Sequence, residues 1–157
     1  MFTKTTIPGN LLSLILTLAF QCSSSIAVAG DTETPNTLMG GQIISVNEAK
    51  RLLDSGDVIF IDTRNIFNYG KGHLPGALQL SYSQKSRLSV DFNQKLDSFD
   101  ISKLPSNKQQ KLVIYSHGST GWKSYKAAVL TIAAGYSHVF WFRSGYQSWQ
   151  EAGYNIE

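Results

Sequence analysis

Apolar residues in this chain fall into short blocks separated by polar, glycine-rich joints, and the spacing within each block predicts its element. Val58-Ile59-Phe60-Ile61, the run from Lys111 to Tyr115, and Val139-Phe140-Trp141-Phe142 show no alternation. Unbroken runs of this length predict strands buried on both faces, as in a parallel sheet. Shorter strands are expected at Ile43-Ile44 and around Leu78 to Leu80. Val46, Ala49, Leu52 and Leu53 share one helical face, opened by Ser45-Val46-Asn47-Glu48 as a capping box and closed by Gly56. Trp122, Tyr125, Val129, Ile132 and Ala133 predict a second helix from about Trp122 to Ala134, with Gly135 as its stop. Ser144-Gly145-Tyr146-Gln147 reads as another capping box, opening a short helix through Trp149 that Gly153 ends. A helical turn is expected over Ile66 to Tyr69, and short helices in the polar stretch 81–110, the last ended by Pro105. Strands alternating with helices predict an α/β fold, an open, mainly parallel sheet flanked by helices on both faces.

The N-terminus breaks this pattern. Lys4 precedes the apolar run Leu11 to Phe20, and Ala27-Val28-Ala29 offers a small-x-small cleavage site before Gly30. Residues 1–29 therefore read as a secretory signal peptide, with an apolar run too short to span a bilayer stably. Residues 30–41, polar with Pro and Gly, read as a flexible lead-in, and 42–157 as the single domain. Cys22 is the one cysteine of the chain, so cleavage after Ala29 leaves a mature protein without a thiol, a disulfide or a thiolate metal site. A periplasmic or secreted location with no membrane span after cleavage is the expectation. The formal charge of +3 on 157 residues, with scattered basic positions, speaks against nucleic acid as a partner.

Four segments together resemble the rhodanese family. They are the strand ending Ile61-Asp62-Thr63-Arg64, the turn Tyr69-Gly70-Lys71-Gly72-His73-Leu74-Pro75-Gly76-Ala77, the strand-loop-helix from Val113 to Gly135, and Gly145 through Tyr154. The resemblance implies a rhodanese-like sheet and places the site at the loop after the Lys111–Tyr115 strand. In that family the loop carries Cys-x-x-Gly-x-Arg-Ser, whose backbone N–H groups and helix dipole favour a thiolate and then a persulfide. Aligned from the helix, the cysteine position is Gly118 and the arginine position Lys123; aligned from the strand, Ser116 takes the cysteine position and the loop is two residues longer. The first register also resembles an exported subgroup reading Cys-x-x-Cys-Trp and associated with quinone-dependent alcohol oxidation, with Gly118 and Gly121 standing for both cysteines before Trp122.

Neither register supplies a thiol, so no catalytic residue is assigned. A serine hydroxyl ionises too weakly for sulfur transfer, and its S–O product would be labile. Trp122 interrupts a P-loop between Gly121 and Lys123, and Gly118-Ser119-Thr120-Gly121 has the wrong spacing for a nucleophile elbow. Ser116 and His117 are adjacent, so their side chains diverge on an extended strand end, and His73, His117 and His138 lack metal-ligand spacing. No metal or cofactor is called for. What the loop keeps is a cradle for an anion: Ser116, His117, Gly118, Ser119, Thr120, Gly121, Trp122 and Lys123 offer N–H groups, hydroxyls and a cation at a helix N-terminus. Asp62 and Arg64 end a central strand beside it, as supporting residues or as an ion pair bracing the loops; His73 reads as a structural histidine and Trp149 as core. Three functions follow: a noncatalytic pocket for a small oxyanion, an envelope-protein scaffold for a periplasmic oxidation system, or atypical thiosulfate sulfurtransferase-type chemistry through Ser116 or His117. Docking would call for an exposed apolar patch at Trp122, Trp141 or Tyr146, residues that core burial would equally explain.

Overall fold

The computed structural model describes Met1, Thr3 and residues 33–157 of the chain. The expected signal peptide, its cleavage site and Cys22 lie outside the described residues. Five parallel strands, β1 (Gln42–Ile43), β2 (Val58–Asp62), β3 (Leu78–Gln79), β4 (Lys111–Tyr115) and β5 (Val139–Phe142), form one sheet in the order β1-β5-β4-β2-β3. Helices α1 (Val46–Ser55), α2 (Ile66–Gly70), α3 (Trp122–Ala133) and α4 (Gly145–Glu151) connect or follow them. No helix among the described residues is long and apolar enough to cross a membrane.

The unbroken apolar strands behave as their pattern demands. In β4, Leu112 and Ile114 face one core with Trp122, Tyr125, Ala127 and Ala128 of α3. Val113 and Tyr115 face the other, with Ala49 of α1 and Tyr146 and Trp149 of α4. Side chains of successive residues point to opposite faces, so a strand covered on both sides must be apolar throughout.

Helix α1 is capped as its sequence requires: Ser45 Oγ accepts from the Glu48 N–H, the Glu48 carboxylate accepts from the Ser45 N–H at 2.7 Å, and Gly56 closes the helix at φ 72°. The second capping box does not form. Ser144 has φ −72° and ψ −13°, and makes no side-chain cap. The N–H groups such a cap would satisfy are already taken, because Tyr146 N–H donates to the Ser116 carbonyl (3.0 Å) and Gln147 N–H to that of His117 (2.8 Å). Stretch 81–110 holds only two single turns of 3₁₀ helix, Gln94–Leu96 and Ile101–Lys103, and an isolated bridge between Ser83 and Ser98.

Composition alone made the lead-in flexible, and residues 33–41 correct that. Thr34 and Leu38 are buried. Thr34 donates to the Ser119 carbonyl through both its N–H (3.0 Å) and its hydroxyl (2.6 Å). Arg143 grips the same segment, donating to the carbonyls of Thr34 at 2.8 Å and Pro35 at 2.9 Å. Two hydrogen-bonded side chains outweigh what polar composition suggests.

Candidate functional site

Chain connectivity opens the site. From β2 the chain continues to its neighbour β3, and from β4 to β5 on the opposite side, so the loops leaving adjacent strand ends diverge. The crevice between diverging loops at the carboxyl ends of parallel strands is where open α/β sheets bind ligands. Here it is a cavity of about 260 Å³. From the β4–α3 loop, Ser116, His117, Thr120, Gly121, Trp122 and Lys123 line it. Arg64, Asn65 and Asn68 come from the end of β2 and from α2, and Gln84 and Leu88 from the long loop after β3. No lining residue is acidic, and none is a cysteine.

Two predicted loop residues lie elsewhere. Ser119 faces a separate hollow with Ser144, Gln147, Ser148 and Glu151. A Cβ at Gly118 would stand 3.1 Å from Gln147 Oε1, turned toward α4. Ser116, by contrast, directly follows β4, is 4% exposed and borders the cavity, and its hydroxyl makes no hydrogen bond among the described residues.

The loop's backbone is less open than its sequence suggests. Gly121 N–H donates to the Gly118 carbonyl (2.8 Å), Trp122 N–H to that of Thr120 (2.9 Å) and Ser124 N–H to that of Gly121 (3.1 Å). A turn this tight brings its own carbonyls within reach of the helix's first donors. Among the described residues, the N–H groups of His117, Gly118, Ser119, Thr120 and Lys123 donate to none. Gly121 fits only without a side chain, since a Cβ there would come 2.7 Å from the Gly118 carbonyl oxygen and 3.0 Å from Ser116 Cβ.

Charge at the site is one-sided. The Lys123 ammonium has neither an ion pair nor a hydrogen bond among the described residues. Arg64 also borders the cavity, but its guanidinium is committed: Nη2 lies 2.6 Å from Asp62 Oδ2 and 2.7 Å from the Gly72 carbonyl, with the Tyr146 ring at 3.9 Å. Burial works against this cation, and the Asp62 carboxylate overrides it and holds the guanidinium more firmly protonated than usual. Asp62 and Arg64 thus brace the strand end and the Gly72 turn. His73 is likewise structural, hydrogen-bonded through Nδ1 to the Tyr69 carbonyl (3.1 Å) and stacked on the Tyr69 ring. Trp122, Trp141, Tyr146 and Trp149 are all buried, so the aromatic patch that docking would call for is not on the surface.

Three amides form the wall facing the loop. Asn65 Oδ1 caps α2 by accepting from Asn68 N–H, while the side-chain amides of Asn68 and Gln84 make no hydrogen bond among the described residues. Gln84 Oε1 is sealed from solvent with nothing donating to it, a state that costs about 1–3 kcal/mol. Behind this wall lies an ion pair that sequence reading missed. Lys126 of α3 and Asp97 meet at 3.3 Å with both side chains fully buried. Asp97 also accepts from Tyr82 OH, the N–H groups of Lys85 and Ser86, and Ser86 Oγ. Burial opposes its ionised form, but the bonds from Ser86, Lys85 and Tyr82 outweigh burial and hold the carboxyl well below the ordinary carboxylate range. This hub fastens to α3 the loop that delivers Gln84 and Leu88. Its signal was in the sequence: Lys126 is four residues after Trp122 and three before Val129, a charge on an apolar stripe, which demands a buried partner.

Comparison with known proteins places this geometry in a family. The family model for the rhodanese-like domain matches residues 45–152. A sulfurtransferase of Allochromatium vinosum is 30% identical over 118 residues, covering 75% of this chain and 95% of that protein. A tRNA uridine(34) hydroxylase of Hamiltonella defensa is 26% identical over 115 residues, 73% of this chain but only 30% of the hydroxylase's length. Among solved structures, the Alr3790 protein of Anabaena superposes with a TM-score of 0.54 at 22% identity over 73% of this chain and 90% of that one. The human single-domain sulfurtransferase TSTD1 gives a TM-score of 0.50 at 23% identity over 69% and 95%. The chain belongs to the rhodanese-like domain family.

Proposed function

We propose that this chain is an exported, noncatalytic rhodanese-homology domain that binds a small oxyanion in the crevice between β2 and β4. The observation that carries this reading is Lys123, a cation without a partner among the described residues, beside the hydroxyls of Ser116 and Thr120 in a cavity whose lining holds no carboxylate. The N–H groups of His117, Gly118, Ser119, Thr120 and Lys123, which donate to none of the described residues, and the helix dipole add to the attraction for negative charge. No thiol borders the cavity, and a serine hydroxyl cannot carry a sulfane sulfur, so binding outlives the chemistry of sulfurtransferase relatives. The signal-like pattern of residues 1–29 supports export. Calorimetry with thiosulfate, sulfate and phosphate is the test, with saturable binding of at least one that Lys123→Gln abolishes. Heatless titrations with all three would refute it. Cyanide-dependent thiosulfate sulfurtransferase turnover by the purified protein would refute the noncatalytic part, and an N-terminus other than Gly30 after secretion the processing part.

A protein partner at the same mouth is the second reading, favoured by Ile66 and Phe67, 68% and 67% exposed on α2 between the cavity-lining Asn65 and Asn68. This is the form in which a regulatory role in a periplasmic oxidation system would act. Cross-linking from Phe67 in envelope extract that yields only self-adducts would count against it.

A further inference from the structure

Resting on that reading, we infer that the oxyanion this pocket takes is organic, a short hydroxylated chain ending in a phosphate or sulfonate head, rather than an inorganic ion. Size gives the first argument. At a water's share of about 30 Å³, a cavity of about 260 Å³ holds roughly nine water-sized groups. A tetrahedral oxyanion has only about five non-hydrogen atoms, so beside an inorganic ion the crevice still has room for a short organic chain.

The lining says what fills the rest. Lys123, Ser116 and Thr120 suit the head. Across from them, the Asn68 amide is uncommitted and can both donate and accept, while Gln84, its Oε1 sealed, offers its Nε2 as a donor. The pair of functions on Asn68 matches a hydroxyl, which also donates and accepts, whereas a bare anion, which only accepts, uses its N–H groups and leaves its carbonyl unpaired. Leu88, 45% exposed at the lip, covers the carbon chain.

The test is calorimetry on the full chain with two triplets: phosphate, propyl phosphate and glycerol 3-phosphate, then sulfate, propanesulfonate and 2,3-dihydroxypropanesulfonate. For at least one head group, the dihydroxypropyl compound is expected to bind at least tenfold tighter than the inorganic ion, with the propyl compound between. In the double variant Asn68→Ala/Gln84→Ala that compound falls to the propyl value, while an unchanged urea unfolding midpoint shows the variant folded. Equal affinities within both triplets, or a preference that survives in the double variant, would overturn the inference and leave oxyanion binding standing. No binding of any of the six would bring down both.

Discussion

Placing a thiol back in the loop tests how the site's electrostatics work. In a Cys22→Ser background, Ser116→Cys sets a lone sulfur at the end of β4, bordering the cavity beside Lys123 and the first turn of α3. The helix terminus contributes about 1 kcal/mol in favour of an anion, and a nearby cation in a partly solvated site about 1 kcal/mol more. Together about 2 kcal/mol is roughly 1.5 pKa units at 1.36 kcal/mol each. An ordinary thiol near 8.5 would therefore titrate near 7, raising the thiolate fraction at pH 7 from about 3% to about half. Burial of the site acts against this, less strongly because the group borders an open cavity. Gly118→Cys is the control: its side chain would start 3.1 Å from the neutral Gln147 Oε1, turned from the cavity, and should titrate as an ordinary thiol. The assay is the pH profile of iodoacetamide alkylation, followed by incubation with thiosulfate, in which the thiolate takes the sulfane sulfur and releases sulfite. Ser116→Cys should alkylate roughly 15-fold faster than Gly118→Cys at pH 7 and alone gain a persulfide's 32 Da (about one sulfur). A faster Gly118→Cys, or a Ser116→Cys thiol titrating at or above 8.5, would refute the reasoning.

Other expectations follow from the packing. Gly145 sits at φ 56°, and a Cβ there would collide with the Ser116 carbonyl, so Gly145→Ala should cost at least about 1–2 kcal/mol and weaken anion binding, read by urea unfolding and calorimetry. Asp97→Asn, which leaves the buried Lys126 ammonium without its counter-charge, should destabilise by about 3–5 kcal/mol. Because the folded pKa of Asp97 is depressed, its stabilisation is present above the unfolded carboxylate value near 3.9 and is lost as pH falls below it. The Asn variant should therefore show a flatter acid limb in urea midpoints measured between about pH 5 and pH 2. Gly121→Ala, which brings a methyl against the Gly118 carbonyl, should abolish oxyanion binding while the far-UV spectrum stays unchanged.

What could be read from sequence divides by how local its cause is. The strands β2, β4 and β5 announce themselves because burial on both faces leaves a continuous apolar run, and α1 does so because its cap is built from residues three apart. The Ser144 box failed for the opposite reason: α4's first donors are satisfied by carbonyls thirty residues upstream, which no window around residue 144 contains. In the cavity, the β4–α3 loop was legible from its small residues and Lys123. Asn65, Asn68, Gln84 and Leu88 were not, since only the pairing of β2 with β4 and the Asp97–Lys126 hub carry them to the same place.

Thr34 gives the site an outlying dependence. The family-matched region begins at residue 45, yet the Ser119 carbonyl at the back of the loop is held by Thr34, eleven positions earlier. A protein trimmed to the matched region would lose the edge strand β1 together with the strut behind its pocket. The strut stands four residues beyond the expected cleavage site before Gly30, so signal cleavage there would leave it in place and a slightly deeper trim would remove it. Two preparations that differ by a dozen N-terminal residues would therefore differ in what holds the Ser119 carbonyl.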